Sequence, residues 1–218
     1  MASHPEPATA VADDRAVIDG GDRENREPEP GAAAVKPLRA DAQRNYDRIV
    51  AAAREVFARD GGGASMEAIA KEAGVGVGTL YRRFPRRIDV VEAVYRTDVD
   101  ELADAAQDAV ARLEPWPAVQ AFLEAFVRYA QTKRTLLAEL QEAFEKFPDL
   151  KLQSRDRINQ AAQLVVGRAQ DAGVIRTDVD GADLMGLLSP VCTSSTLTPD
   201  QTLRLLGMIL DGLRQTGG

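Results

Sequence analysis

Residues 76–84 combine hydroxyl, aromatic and guanidinium side chains at a spacing suited to binding a charged polymer. Thr79, Tyr81 and Arg82 fall within four positions, and Val77 lies just before them. Hydroxyl and guanidinium groups donate to phosphate oxygens, Arg also pairs with the acceptor edge of guanine, and an apolar side chain can pack on the methyl group of thymine. These residue types indicate a DNA-reading segment.

A helix, a glycine turn and a second helix are the elements that must position these side chains. A helical pattern runs over residues 65–73, where Ser65 is a natural N-cap and Gly74 closes the helix. The second helix begins near residue 76, and Leu80 and Phe84, four apart, anchor it to a small core. This layout is typical of a helix-turn-helix, whose second helix enters the DNA major groove.

Further candidate contacts lie around this second helix. Gly78 permits close approach of the backbone, Arg44 lies near the start of the first helix, and Arg87 follows Pro85. Ser65 is a phosphate candidate as well as a cap, although the cap alone would explain it. A merely solvated basic face remains the alternative for the arginines. The DNA-binding candidates are Arg44, Ser65, Val77, Gly78, Thr79, Tyr81, Arg82 and Arg87.

The segment from Arg44 to Val94 resembles the N-terminal domain of bacterial transcriptional regulators of the TetR family (TetR/AcrR type). The residues that carry the resemblance are Ile49-Val50-Ala51-Ala52-Ala53, Val56-Phe57, Ile69-Ala70, Ala73-Gly74-Val75, Gly78-Thr79-Leu80-Tyr81 and Phe84. The resemblance implies that Thr79 and Tyr81 contact the DNA backbone and that Arg87 takes the place of a phosphate-binding Lys. Many members have Ser at the position of Gly76 and a polar residue at that of Val77, so we expect base reading to depend more on Arg82 and on DNA shape.

The charge is unevenly distributed along the chain. The net charge is −7 overall, yet residues 41–96 carry 10 basic and 8 acidic side chains, whereas residues 97–218 carry 12 basic and 18 acidic ones. This asymmetry fits a DNA-reading head joined to an acidic body, although the excess in the head is small enough to arise by chance. The overall negative charge argues against non-specific coating of nucleic acid as the whole function.

Few residues are available for metal binding or catalysis. Cys192 is the only cysteine and His4 the only histidine, which excludes an intrachain disulfide, a zinc cluster of Cys and His, and a triad built on His. We therefore expect no cofactor, no metal and no enzymatic activity. No apolar run approaches the ~18–20 residues of a membrane span, so we predict a cytoplasmic protein, nucleoid-associated when bound to DNA, with no membrane partner.

The periodicity of apolar residues predicts an all-α protein of roughly nine helices in three regions. Residues 1–39 are rich in Pro, Glu, Asp, Ala and Gly, which predicts a disordered tail. Residues 40–86 form the helix-turn-helix domain, called the reading head below. Residues 87–218, called the body, form a helical ligand-binding and dimerisation domain. The predicted helices are 41–60, 65–73, 76–84, 86–113, 117–131, 133–147, 148–172, 181–193 and 199–215.

Aromatic and polar side chains in the body suggest a cavity between helices, which is where bundles place ligand sites. The resemblance implies a pocket for a small-molecule inducer, whose identity the sequence does not indicate. Taken singly, each candidate is better explained by ordinary core packing. The candidate lining residues are Trp116, Phe122, Phe126, Tyr129, Phe144, Gln163 and Met185.

The last two predicted helices are apolar over wide faces and, by the resemblance, form the homodimer interface. The alternative is that they are intrachain core. The candidate interface residues are Leu184, Leu187, Leu188, Leu203, Leu206, Ile209, Leu210 and Leu213.

Together these features predict a repressor that a small molecule releases from a palindromic operator in double-stranded DNA. The rival hypotheses are an architectural DNA-binding protein without a sensory role and, much less favoured, a helical-bundle enzyme. A partly polar internal cavity in the body would favour the sensor over the architectural protein.

Overall fold

The computed structural model describes residues 35–215, with side chains from Ala40 onward. Nine α-helices occupy this range and no strand forms within it, which confirms the predicted all-α fold. The helices are α1 (Val35–Asp60), α2 (Met66–Glu72), α3 (Val77–Arg83), α4 (Arg87–Arg112), α5 (Pro115–Thr135), α6 (Leu137–Lys146), α7 (Pro148–Asp171), α8 (Gly181–Thr193) and α9 (Pro199–Leu213).

Three helix starts differ from the sequence expectation by two residues or more. Helix α6 begins at Leu137 rather than near Lys133, because α5 continues to Thr135. Helix α1 begins at Val35 rather than near Asp41, so it extends into the predicted tail; the rest of that tail lies outside the described residues. Helix α5 begins at Pro115 rather than at Pro117. Proline suits the first turn of a helix, because N–H groups there have no acceptor within the helix and the fixed φ of proline is helical. None of the helices in the described range is long and apolar enough to cross a membrane.

Short-range signals define the reading head. The hydroxyl of Ser65 accepts a hydrogen bond from the Ala68 N–H at 3.0 Å, which caps α2. Gly74 ends the turn after α2 at a φ of 63°, a conformation that favours glycine. Leu80 and Phe84 are buried against the apolar face of α1 and α2, so α3 is anchored through one side.

The body is a bundle built around the long helix α4. Helix α4 packs against α5, α6 and α7, while α8 packs on α5 and α7, and α9 packs on α8. The start of α8 lies against α7 at Gly181, where any side chain would overlap the backbone of Ala162 and Gln163. The Gln163 side chain accepts a hydrogen bond from the Gly181 N–H at 2.8 Å.

From Arg39 onward, the described backbone forms one compact unit. The reading head and the body predicted from the sequence therefore lie within one compact unit. A buried ion pair contributes to their connection, because Arg54 of α1 lies 2.5 Å from Asp98 of α4 and 3.0 Å from Glu101. Burial raises the pKa of Asp98 to about 6, against the lowering effect of Arg54.

We expect Arg54→Met to destabilise the fold by about 1–2 kcal/mol at pH 7, because it leaves the buried Asp98 carboxylate without a cation, and a carboxyl with a pKa of about 6 takes up a proton at that pH at small cost. The pKa of Asp98 is already above its unfolded value, so its ionisation costs stability as pH rises through the folded pKa. The loss should therefore shrink below about pH 5. Urea unfolding over a pH series measures both effects. The double variant Arg54→Met/Asp98→Leu should regain most of the stability, and a loss that remained in the double variant would contradict this account.

Candidate nucleic-acid interface and ligand cavity

Helix α3 turns its apolar anchor inward and its polar side chains outward. Leu80 is fully buried, whereas Val77, Thr79, Tyr81 and Arg82 are exposed. The inward side supplies the packing that fixes the helix. The outward side is therefore free to contact a partner.

The two neighbouring arginines of α3 differ in their surroundings. The Arg83 guanidinium lies over the Tyr46 ring, 5.0 Å from its centroid, and is held against the first helix by a cation–π contact. The Arg82 side chain forms no ion pair or hydrogen bond with any residue in the described range 35–215. The Tyr81 hydroxyl donates to the Glu67 carboxylate at 3.3 Å, so α2 orients that ring. Arg82 is thus the guanidinium of α3 that is available to a partner.

Gly78 lies on the outer side of α3 without serving the internal packing. A side-chain methyl at this position would meet no atom within 4 Å. Because alanine stabilises a helix interior by about 1 kcal/mol relative to glycine, the fold alone would favour alanine here. The absence of a side chain instead leaves clearance for an approaching backbone.

The other DNA-binding candidates lie at the edges of this surface. Ser65 is exposed, with its hydroxyl engaged in the cap of α2. Arg44 is exposed and pairs with Asp41 one turn earlier on α1. Exposed pairs of this kind contribute little to stability, so Arg44 can exchange its partner for a phosphate at low cost.

Arg87 does not lie free beside α3, as its assignment to phosphate would require. Its guanidinium donates to the Ala64 carbonyl and to the Glu139 carboxylate of α6, the latter at 2.7 Å, and it lies 4.9 Å from the centroid of the Phe57 ring. Arg87 therefore links α1, the start of α2 and α6. We call Arg87 and Glu139 the head–body ion pair.

A cavity of about 290 Å³ opens in the body among α4, α5, α6, α7 and α8. Four of the seven candidate pocket residues line it: Phe126, Tyr129, Phe144 and Met185. The Tyr129 hydroxyl donates to the Tyr95 hydroxyl at 3.1 Å, and burial raises the pKa of both groups. The rings of Tyr95 and Phe144 meet edge to face at 5.5 Å.

The other three pocket candidates lie elsewhere. Phe122 is fully buried in the core, where it fills space between helices. Gln163 is used by the contact of α7 with Gly181. Trp116 lies under the Arg214 guanidinium, 4.2 Å from the ring centroid, at the start of α5. Aromatic type alone does not distinguish a cavity wall from a core or a surface contact.

Basic residues of the cavity were not among the sequence-based candidates. Lys133, Lys151 and Arg155 line it together with the aromatic rings. Lys151 and Arg155 are four apart on α7, three residues before the buried Ile158, so helical spacing could have placed these two on one face. Lys133 comes from α5, and no local signal connects it with the other two.

Helices α8 and α9 divide their apolar residues between two sides. Leu184, Leu188, Leu206 and Leu213 are buried inside the chain, which is not where interface residues would lie. Ile209 and Leu210 are half-buried. The exposed members of the pair are Leu187, Leu203 and Met208, with exposed fractions of 55%, 66% and 68%. We refer to these three exposed residues together as the C-terminal face. Each helix buries one stripe against its own bundle, and the apolar residues outside that stripe remain open to a partner.

Comparison with known proteins matches both halves of the described structure. Residues 114–215 match the family described as transcriptional regulator SbtR-like, C-terminal domain, and residues 49–94 match bacterial regulatory proteins, tetR family. The solved structure of the TetR transcriptional regulator SCO0520 from Streptomyces coelicolor is 39% identical, with a TM-score of 0.70 over 79% of this chain and 99% of that chain. The chain belongs to the TetR family.

Two further TetR comparisons agree with this assignment. The TetR transcription regulatory protein from Mycobacterium vanbaalenii is 33% identical, with a TM-score of 0.67 over 82% of this chain and 100% of that chain. An HTH-type transcriptional regulator of Staphylococcus aureus is 42% identical over 64 residues, which is 29% of this chain. That match spans 35% of the Staphylococcus protein, about a third of its length.

Substitutions at exposed and at buried residues of α8 and α9 should affect different properties of this TetR-family protein, the first self-association and the second stability. We expect Leu203→Glu, on the C-terminal face, to weaken self-association at least tenfold while leaving helical content unchanged, because an unpaired carboxylate in an apolar seam is costly. We expect Leu206→Ala, on the buried side, to lower the free energy of unfolding by about 2–5 kcal/mol. Sedimentation and urea unfolding measure the two effects. A dimer of unchanged strength in Leu203→Glu would place the interface on another surface.

Proposed function

We propose that this TetR-family protein is a sequence-specific transcriptional repressor that binds a palindromic operator as a homodimer and leaves it when a small molecule occupies the body cavity. The observation that carries the proposal is the division of α3 into a buried anchor and an exposed face bearing Thr79, Tyr81 and Arg82. A short helix with this division, packed on α2 through a glycine turn, has the shape that enters a major groove.

Each exposed residue of α3 has a role in this proposal. Arg82, which has no partner in the described range, reaches a guanine edge, and Val77 packs on a thymine methyl group. Thr79 donates to a phosphate, and Tyr81 does so by exchanging its Glu67 partner for one, while the open surface at Gly78 allows the DNA backbone to come close. Arg44 adds a phosphate contact from α1. Arg87 is assigned to the head–body ion pair instead.

Dimerisation supplies the second half-site. Two copies of α3 must lie ~34–36 Å apart to read successive major grooves on one side of the duplex. The C-terminal face, with three large apolar side chains in water, supports self-association through α8 and α9. A symmetric partner would cover the same three residues on each copy.

Release follows from the position of the cavity relative to the reading head. Tyr95 and Phe144 line the cavity, and they belong to α4 and α6, which also carry Arg87 and Glu139. A ligand that separates these helices would move the head and change the spacing of the two α3 helices. The ligand acts only through its different affinity for the two arrangements, and operator DNA must lower ligand affinity by the same factor.

The cavity is also the feature that supports a sensor over an architectural DNA-binding protein. An architectural protein needs basic surface rather than an internal space. Here the body has a partly polar cavity lined by five helices, and the body is acidic overall.

The adjacent arginines of α3 provide a matched test of operator binding. With operators obtained by selection from random duplexes, we expect Arg82→Ala to weaken binding by about 1–3 kcal/mol and to relax preference at one base pair of each half-site. Arg83→Ala should have a smaller effect, because Arg83 is held over Tyr46. Binding isotherms over a salt series should also show a steep decrease in affinity with added salt. Equal losses in both variants would contradict the assigned docking.

The head–body ion pair can be tested without a ligand. We expect Glu139→Gln to increase amide hydrogen exchange in residues 64–84 and to change operator affinity by about 0.5–2 kcal/mol, because Arg87 loses its charged partner on α6. The control is Glu142→Gln, an exposed neighbour on the same helix, which should behave as wild type. Identical exchange in the two variants would remove α6 from the connection between cavity and head.

A further inference from the structure

The walls of the 290 Å³ cavity carry positive charge only. Lys133, Lys151 and Arg155 line it, and no Asp or Glu does. Within the part of the chain that the structure describes, none of the three forms an ion pair. The body as a whole has more acidic than basic side chains, so its composition does not favour such a cluster.

A second depression in the body shows that this charge is specific to the cavity. That cleft, of about 340 Å³, is lined by Arg54 and Arg128, but Asp98 and Glu101 line it as well. Arg54 forms ion pairs with both acids. The cleft therefore already contains its counter-charges, whereas the cavity does not.

The surroundings of Lys133 favour an anionic ligand. Its ammonium group lies 5.9 Å from the centroid of the Tyr129 ring, at the apolar part of the wall. Burial, followed by the nearby Lys151, lowers the pKa of Lys133. A cation under these conditions gains free energy when an anion arrives, because the anion offsets both the lost hydration and the repulsion.

The remaining wall fits a ring-shaped apolar body. Phe126, Tyr129 and Phe144 present aromatic surface, and Ile158 and Met185 add aliphatic and thioether surface. The volume is close to the lower end of the range for small-molecule pockets, about 300 Å³, which suits a molecule of one or two rings.

We propose that the cavity binds a small aromatic carboxylate, with its ring against Phe126 and Phe144 and its carboxylate bound by Lys133, Lys151 and Arg155. The inference rests on the proposed function only in taking this cavity as the sensory site. It specifies the ligand as an organic monoanion, in place of the largely apolar molecule that the aromatic residues alone would indicate.

Three probes of the same ring system test the charge preference. They are 1-naphthoate, the neutral 1-naphthamide and the cationic 1-naphthylmethylammonium, each titrated calorimetrically into the full chain. We expect 1-naphthoate to bind at least about tenfold more tightly than the amide and the cation to bind least. Lys151→Gln and Lys133→Gln should each lower naphthoate affinity by about tenfold and leave amide affinity unchanged. Arg134→Gln, an exposed neighbour outside the cavity wall, is the control and should bind as wild type.

Several results would overturn the proposal. They are equal binding of the acid and the amide, no binding of any probe, or losses in the lysine variants no larger than that in Arg134→Gln. Lys151 is exposed, so its variant tests the charge without disturbing the core. Operator binding by the same proteins is measured separately, without probe. If the wild-type chain selects no operator, the proposed repressor function is wrong. The charge preference of the cavity is then still decided by the titrations alone.

Discussion

The reading head of this TetR-family chain is linked to helix α4 at two separate points, and its orientation depends on both. At the start of α4, Arg87 bonds the Ala64 carbonyl; eleven residues later, Asp98 pairs with Arg54 of α1. At a rise of 1.5 Å per residue these points lie about 16 Å apart along the helix. Two points of attachment on one rigid element fix the direction as well as the position of α1, so the head cannot reorient while α4 stays in place.

The cavity lies on the same helix, between these two points. Tyr95 is three residues before Asp98, and its hydroxyl bonds Tyr129 across the wall. Phe144, which packs edge to face on Tyr95, is on the helix that carries Glu139. A molecule in the cavity would therefore contact both α4, which carries Arg87, and α6, which carries its partner Glu139. In the proposed switch, a small displacement of α4 or α6 would be enough to couple the two sites, because close packing between these helices resists gradual deformation.

The sequence predicted features that depend on near neighbours. The helices, the Ser65 cap, the turn at Gly74 and the anchor at Leu80 follow from residue types within a few positions of one another. The partner of Arg87 lies 52 residues away, so a short basic turn after α3 suggested a phosphate contact instead. Long-range packing also decides the cavity lining, because Lys133 meets Lys151 only when α5 packs against α7. For the same reason, the sequence did not show that Trp116 and Gln163 make other contacts.

The C-terminal helices show a second limit of this kind. Their leucines share one residue type, yet Leu206 is buried inside the chain and Leu203 is exposed. The two residues are three apart and so lie close together around the helix, and spacing alone does not state which of them faces the chain's own bundle. That choice is made by the packing of α9 on α8, which depends on the whole body.

The contact between Trp116 and Arg214 determines what the intrinsic fluorescence of this protein reports. Trp116 is the single tryptophan of the chain, and its indole lies under the guanidinium that follows α9. Next to this contact, the Arg176 N–H, in the segment after α7, donates a hydrogen bond of 2.9 Å to the Leu213 carbonyl at the end of α9. Indole emission will thus respond to the closure of the C-terminal end on the bundle. The tyrosine signal, by contrast, sums the cavity residues Tyr95 and Tyr129 with Tyr46 and Tyr81 of the reading head. The single indole therefore offers an optical signal for one end of the body, without any added label.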